Sequence, residues 1–195
     1  MSSAEASEFA SRLRQQGISA VAFDFDATAL NFNTNPSTSY NGSFYYFTLQ
    51  YTNKMSPDFV ALVPKLIDMN IKVGIATFND DIINDIRCNN DFIIGGNALV
   101  RPVLRHLFPD IHDSIEIWAW NPDKHSSYAP DGCRIPSNKN WHLEAMARRY
   151  GIRNPSQVLL VDDLESNIVG ANLKGFRTIK VNGTEGFKMN ESTVM

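Results

Sequence analysis

Short apolar runs without helical period recur along this chain, and between them apolar residues return at helical spacing. Ser19-Ala20-Val21-Ala22-Phe23 is such a run, too brief for a helix and apolar on both faces, which fits a strand buried in a parallel sheet. Ile71 to Phe78, Ser114 to Trp120, Val158 to Val161 and Arg177 to Val181 read as further strands. Ahead of the first run, Ala6, Phe9, Ala10 and Leu13 mark an amphipathic helix over Ala4 to Gln16, stopped by Gly17. Ser56 and Pro57 open another as cap and first position, carrying Phe59, Val60, Leu62, Val63, Leu66 and Ile67 to Asn70. Helices are also expected over Asp80 to Cys88, Ala98 to Phe108, Lys139 to Tyr150 and Leu164 to Leu173. This alternation predicts a doubly wound, Rossmann-like α/β fold on a parallel sheet, with any ligand at the carboxyl ends of the strands.

A chain of 195 residues, 43% hydrophobic and 20% charged, is long enough for one well-buried domain over 1–195, and a second full domain is not expected. Residues 31–57 differ from their surroundings, being rich in Asn, Ser, Thr and aromatics, with a turn signal at Asn41-Gly42. They read as a surface excursion containing a hairpin, that is, a small flap or minimal cap. Its aromatic run from Tyr40 to Tyr51 is read as packing on the domain, with a substrate platform as the alternative. Pro122, Pro130, Gly132 and Pro136 make a loop of Asn121 to Ser137, and 182–195 reads as an irregular tail.

A net charge of -3 and scattered Lys and Arg offer no basic field for a nucleic-acid backbone, so no nucleic-acid partner is expected. The polar stretch Met1 to Gln16 lacks the apolar core of a signal peptide, and no apolar run approaches the roughly 20 residues of a membrane span. A cytoplasmic protein with no membrane partner is the expectation, and Cys88 and Cys133 are then reduced thiols. On the same ground the sequons at Asn41, Asn182 and Asn190 are chance matches.

Three expected strands end in polar residues that would meet at one edge: Asp24-Phe25-Asp26-Ala27-Thr28, Thr77-Phe78-Asn79, and Asp162-Asp163. In an extended segment Asp24 and Asp26 would project to the same side, about 6.5 to 7 Å apart. Like charges held close require a cation or a proton, and Asp162 or Asp163 at the same rim makes an oxygen-rich cluster suited to Mg2+. A carboxylate can attack phosphorus as a covalent nucleophile, while Thr77 and Lys139 are the types needed to neutralise phosphoryl oxygens.

Each residue also has a plainer reading. Asp24-Phe25-Asp26 could be a helix cap or turn, and Asp162 or Asp163 could only cap the helix that follows. Lys54 and Lys124 rival Lys139 as the site cation. His142 reads as a surface or packing histidine, His125 is not fixed by anything, and Asn167 could orient a carboxylate or be solvated.

Taken in order, these segments resemble the motifs of the haloacid dehalogenase-like superfamily. Phe23-Asp24-Phe25-Asp26-Ala27-Thr28 is similar to its first motif, Ile75-Ala76-Thr77 to its second, Lys139 to its third, and Leu160-Val161-Asp162-Asp163 to its fourth. The runs around Lys139 and from Gln157 to Ile168 are similar to the magnesium-dependent phosphatase-1 group. The resemblance implies that Asp24 is nucleophile and Mg2+ ligand. Asp26 would be general acid and base, its carbonyl also touching the metal; its presence favours a phosphatase over a dehalogenase. Thr77 and the amide of Phe78 or Asn79 would bind phosphoryl oxygens, and Lys139 would neutralise the aspartyl-phosphate. Asp163 would ligate the metal directly, with Asp162 orienting it. The implied activity is Mg2+-dependent hydrolysis of phosphate monoesters. An insertion too short to close over a substrate would admit phosphoproteins as well as phosphorylated small molecules. Nucleotidase or phosphomutase activity, and a noncatalytic binding module, are the alternatives; monomer and homodimer both stay open.

Overall fold

A computed structural model of the chain describes residues 3–32, 39–40, 49–78, 87–88, 91–93, 96–119 and 138–194, with backbone alone at 39–40, 87–88, 91–93 and 191. The central strand β1 (Ala20–Phe23) is buried along its whole length. It pairs in parallel with β3 (Lys72–Thr77) on one side and β7 (Val158–Asp162) on the other, so that Phe23 stands level with Ile75 and Val161. Outside these lie β6 (Ile115–Ala119) and β8 (Arg177–Lys180), giving one five-stranded parallel sheet in the order β6-β3-β1-β7-β8.

Side-chain alternation along the strands sorts the core into two layers. Val21, Phe23, Val73, Ile75, Leu159 and Val161 share a cluster with α1 (Ser3–Gln15), α2 (Pro57–Asp68) and α3 (Gly96–Leu107). Ala20, Ala22, Ala76, Val158 and Leu160 face Leu143 and Met146 of α4 (Asn140–Arg149) and Ala171 of α5 (Glu165–Leu173). The alanines on this second face leave room for the bulkier Leu143 and Met146. Helices thus cover both faces, as the alternating pattern predicted. The chain runs outward from β1 through β3 to β6, then returns to β7 and runs outward again to β8. The two directions part between β1 and β7, and that parting is where such sheets open a crevice at their carboxyl ends.

The helices expected over 4–16, 98–108, 139–150 and 164–173 form within two residues of those limits. The stretch from Asp80 to Cys88 departs from expectation. Arg87–Cys88 is a short strand (β4) pairing antiparallel with Asp91–Ile93 (β5), while 80–86 fall outside the described residues. Ser39–Tyr40 (β2) also pairs with β5, whereas the turn expected at Asn41-Gly42 falls outside the described residues and 49–52 is helical. The small second sheet therefore takes strands from two separate insertions, one after β1 and one after β3. Short strands paired across some fifty residues leave no local period to read. The loop expected over 121–137, with Lys124 and His125, lies outside the described residues.

The tail is irregular in hydrogen bonding but not detached. Phe187 is buried, edge-on to Phe9 and Phe23, its amide donating to Thr28 O at 2.9 Å. Ser56 Oγ donates to Phe187 O at 2.6 Å, and Met189 N to Asp58 Oδ2 at 2.9 Å. Among the described residues, no helix is long and apolar enough to cross a membrane.

Candidate active site

Asp24 follows the last residue of β1, its amide donating to Val161 O at 2.9 Å, so it is held at the crevice by the sheet itself. Beyond it the chain turns instead of extending. Asp24 Oδ1 accepts from Phe25 N at 2.8 Å, Ala29 N returns to Asp24 O at 3.1 Å, and Leu30 N to Phe25 O at 2.8 Å. Within this turn Asp26 is extended (φ -74, ψ 138) and Ala27 is left-handed (φ 53). The strand spacing expected between Asp24 and Asp26 thus does not apply, because hydrogen bonding to the neighbouring strands ends at Asp24. Asp24 caps its own turn, so the plainer reading of this aspartate holds alongside any chemical one.

Lys139, at the cap position of α4, is 1% exposed. Its ammonium lies 2.5 Å from Asp24 Oδ1 and 3.9 Å from Asp162 Oδ2, and donates to Ala76 O near the end of β3. It also sits 4.6 Å from the centre of the Phe78 ring, within cation–π range. One side chain therefore joins the ends of the three central strands. Of its rivals, Lys54 is exposed within the first insertion and Lys124 falls outside the described residues.

Asp162 ends β7 and is fully buried. Its Oδ1 accepts from Leu164 N at 2.8 Å and from Asn167 Nδ2 at 2.9 Å, and its Oδ2 from the same Asn167 nitrogen at 3.0 Å. Asn167 is itself buried and orients this carboxylate instead of facing solvent. Asp163 is half-buried; its backbone carbonyl accepts from Lys180 Nζ, which also lies 3.8 Å from Glu165 Oε2. Carboxylate oxygens of Asp24, Asp162 and Asp163 all lie within 4.8 Å of one another. Asp26 is half-buried beside this triad and not part of it.

Burial pushes the Asp24 carboxyl well above its ordinary value; Lys139 opposes that shift, and the charges of Asp162 and Asp26 add to it. Asp163 is likewise raised, by burial first and Asp162 second.

Thr77 closes β3, buried, two residues beyond the Ile75 that stands level with Phe23. Phe78 follows, partly exposed, and Asn79 lies outside the described residues. His142 is fully buried, 5.5 Å from the Phe78 ring, so the surface alternative for it is wrong and the packing one holds. Sequence reading did not find the Ala76 carbonyl or the Phe78 ring as partners of Lys139. A backbone carbonyl carries no side-chain signal, and Phe78 drew attention only through its amide.

No family model matches this chain, and no curated protein matches it.

Proposed function

We propose that this chain is a Mg2+-dependent phosphatase of the haloacid dehalogenase-like kind, hydrolysing phosphate monoesters through an aspartyl-phosphate on Asp24. The observation that carries this reading is one carboxylate at the end of the central strand, with a buried lysine 2.5 Å away and two further carboxylates within 4.8 Å. A structural cap needs neither the lysine nor the other acids.

The donor set suits the ion. Three carboxylates converge on hard oxygen donors, and Lys139 is the one fully buried cation among the described residues near them. Asp24 and Asp163 would hold Mg2+ with the Asp26 carbonyl, while Asp162, occupied by Leu164 N and Asn167, would fix the arrangement from behind. Bound there, the ion supplies charge neutralisation for the phosphoryl oxygens and the acids around them.

In the first half-reaction an Asp24 oxygen attacks phosphorus, the ester P–O bond breaks, and Asp26 gives its proton to the leaving oxygen. Lys139, on Asp24 Oδ1, and the Thr77 hydroxyl stabilise the charge of the transferring group, with the amide of Phe78 or Asn79 as a further donor. In the second half, Asp26 takes a proton from water, that water attacks phosphorus, and the P–O bond to Asp24 breaks to release phosphate. The substrate class is a phosphorylated small molecule or phosphoprotein.

The test is hydrolysis of p-nitrophenyl phosphate with Mg2+, with EDTA, and by Asp24→Asn. Turnover that requires Mg2+ and disappears in the variant is expected. Absence of Mg2+-dependent turnover in the wild type, or full activity in the variant, would overturn the reading.

A further inference from the structure

The turn after β8 sits directly on the acidic cluster. A Cβ placed on Gly183 would lie 2.8 Å from Asp163 Oδ2 and 3.3 Å from both Asp163 Cβ and Ala27 Cβ. Atoms do not sit at 2.8 Å from a Cβ without something moving. Gly183 does not have a left-handed φ, whereas Gly186, three residues on, does (φ 70). At 183 a side chain would therefore disturb the space beside the glycine and not its backbone conformation. The space it leaves is occupied by one carboxylate oxygen of the cluster and by the left-handed residue of the nucleophile turn.

The same segment is anchored on both sides of this contact. Val181 N donates to Asp162 O at 3.0 Å, and Phe187 N to Thr28 O at 2.9 Å. Residues 181–187 thus run from β7 to the nucleophile turn, and Gly183 lies where the turn, the tail and Asp163 converge. On Asp163 the backbone carbonyl is held by Lys180 Nζ, and Gly183 borders its carboxylate on one side.

We infer that Gly183 is a positioning residue for the metal site: by lacking a side chain it lets Asp163 direct its carboxylate into the cluster with Asp24 and Asp162. This rests on the Mg2+ reading above. A methyl group at 183 comes nearest to the end of the Asp163 side chain, at 2.8 Å, and meets the Cβ atoms of Ala27 and Asp163 only at 3.3 Å, so the Asp163 carboxylate is the first group to give way. The cost then falls on metal affinity and hardly on stability. Altering such outer groups costs about 10- to 100-fold in metal affinity.

The test is Mg2+ binding to wild type, Gly183→Ala, Asp163→Ala and the double variant by isothermal titration calorimetry, with the melting temperature of each in EDTA. Expected are Mg2+ binding weakened about 10- to 100-fold in Gly183→Ala, a melting temperature in EDTA close to wild type, and no further weakening when the substitution is added to Asp163→Ala. Wild-type affinity in Gly183→Ala, beside weakened binding in Asp163→Ala, overturns the inference and leaves the metal reading standing. Additive losses in the double variant also overturn it, because Gly183 would then not act through Asp163. Absence of Mg2+ binding in the wild type overturns the metal reading and the inference with it. If Gly183→Ala fails to fold, Gly183→Ala/Ala27→Gly removes the 3.3 Å contact with the nucleophile turn and keeps the one with Asp163. The same weakening is expected of it, and wild-type affinity there overturns the inference.

Discussion

Lys139 is packed against Asp24, Asp162, the Ala76 carbonyl and the Phe78 ring at once, with almost no solvent access. Replacing it by Met keeps most of the volume but leaves buried acids without their cation. Lys139→Met is expected to lower kcat about 100- to 1000-fold, the usual cost of losing one charge-stabilising donor, measured with p-nitrophenyl phosphate at saturating Mg2+. Lys139→Arg is not expected to rescue it, because a planar fork cannot replace a point charge in a closed site. The raised carboxyl of Asp24 has a consequence of definite sign. In the metal-free folded chain it keeps a proton that the unfolded chain loses near 3.8, so it contributes stability below that pH, and the contribution is lost as pH rises through the raised folded value. Mg2+ must displace that proton to bind. In EDTA, the melting temperature of the wild type should therefore fall relative to Asp24→Asn as pH rises across this window. Added Mg2+ should close the gap, and a gap unaffected by pH would contradict the assignment.

At the scale of elements, the sheet was legible because buried strands and amphipathic helices leave different periods in the chain, and each expected parallel strand lies within two residues of its observed limits. The acids at the strand ends were legible for the same reason. What stayed hidden depends on contacts distant in sequence. Nothing local marks Ser39–Tyr40 as the partner of Asp91–Ile93, or Lys139 as a buried residue under Phe78. The tail reads as irregular and is so apart from the turn Met189–Glu191, but its packing left no local signal, and Phe187 fills the core between Phe9 and Phe23. Phe187→Ala is expected to cost about 3 to 5 kcal/mol, measured by urea denaturation. A loss below about 1 kcal/mol would show that the tail does not brace the nucleophile turn.

Across the whole molecule, the strand order parts between β1 and β7, and Asp24 and Asp162 stand on either side of that line. The opposite pole holds a groove of about 490 Å³ lined by Arg14, Lys72, Tyr150 and Gln157, near the ends of α1, α2 and α4. It brings together no carboxylate cluster and lies at the amino ends of the strands. Lys72→Ala there is expected to leave turnover unchanged and stability within about 0.5 kcal/mol, as read from kcat/KM and urea denaturation. The central claim is that Asp24 carries the phosphoryl group, and the most direct measurement is to quench the enzyme with borohydride during turnover and locate the reduced residue by peptide mass spectrometry. Homoserine at position 24, dependent on substrate and Mg2+, is the predicted result; steady turnover with residue 24 unmodified and the reduced residue elsewhere would contradict it.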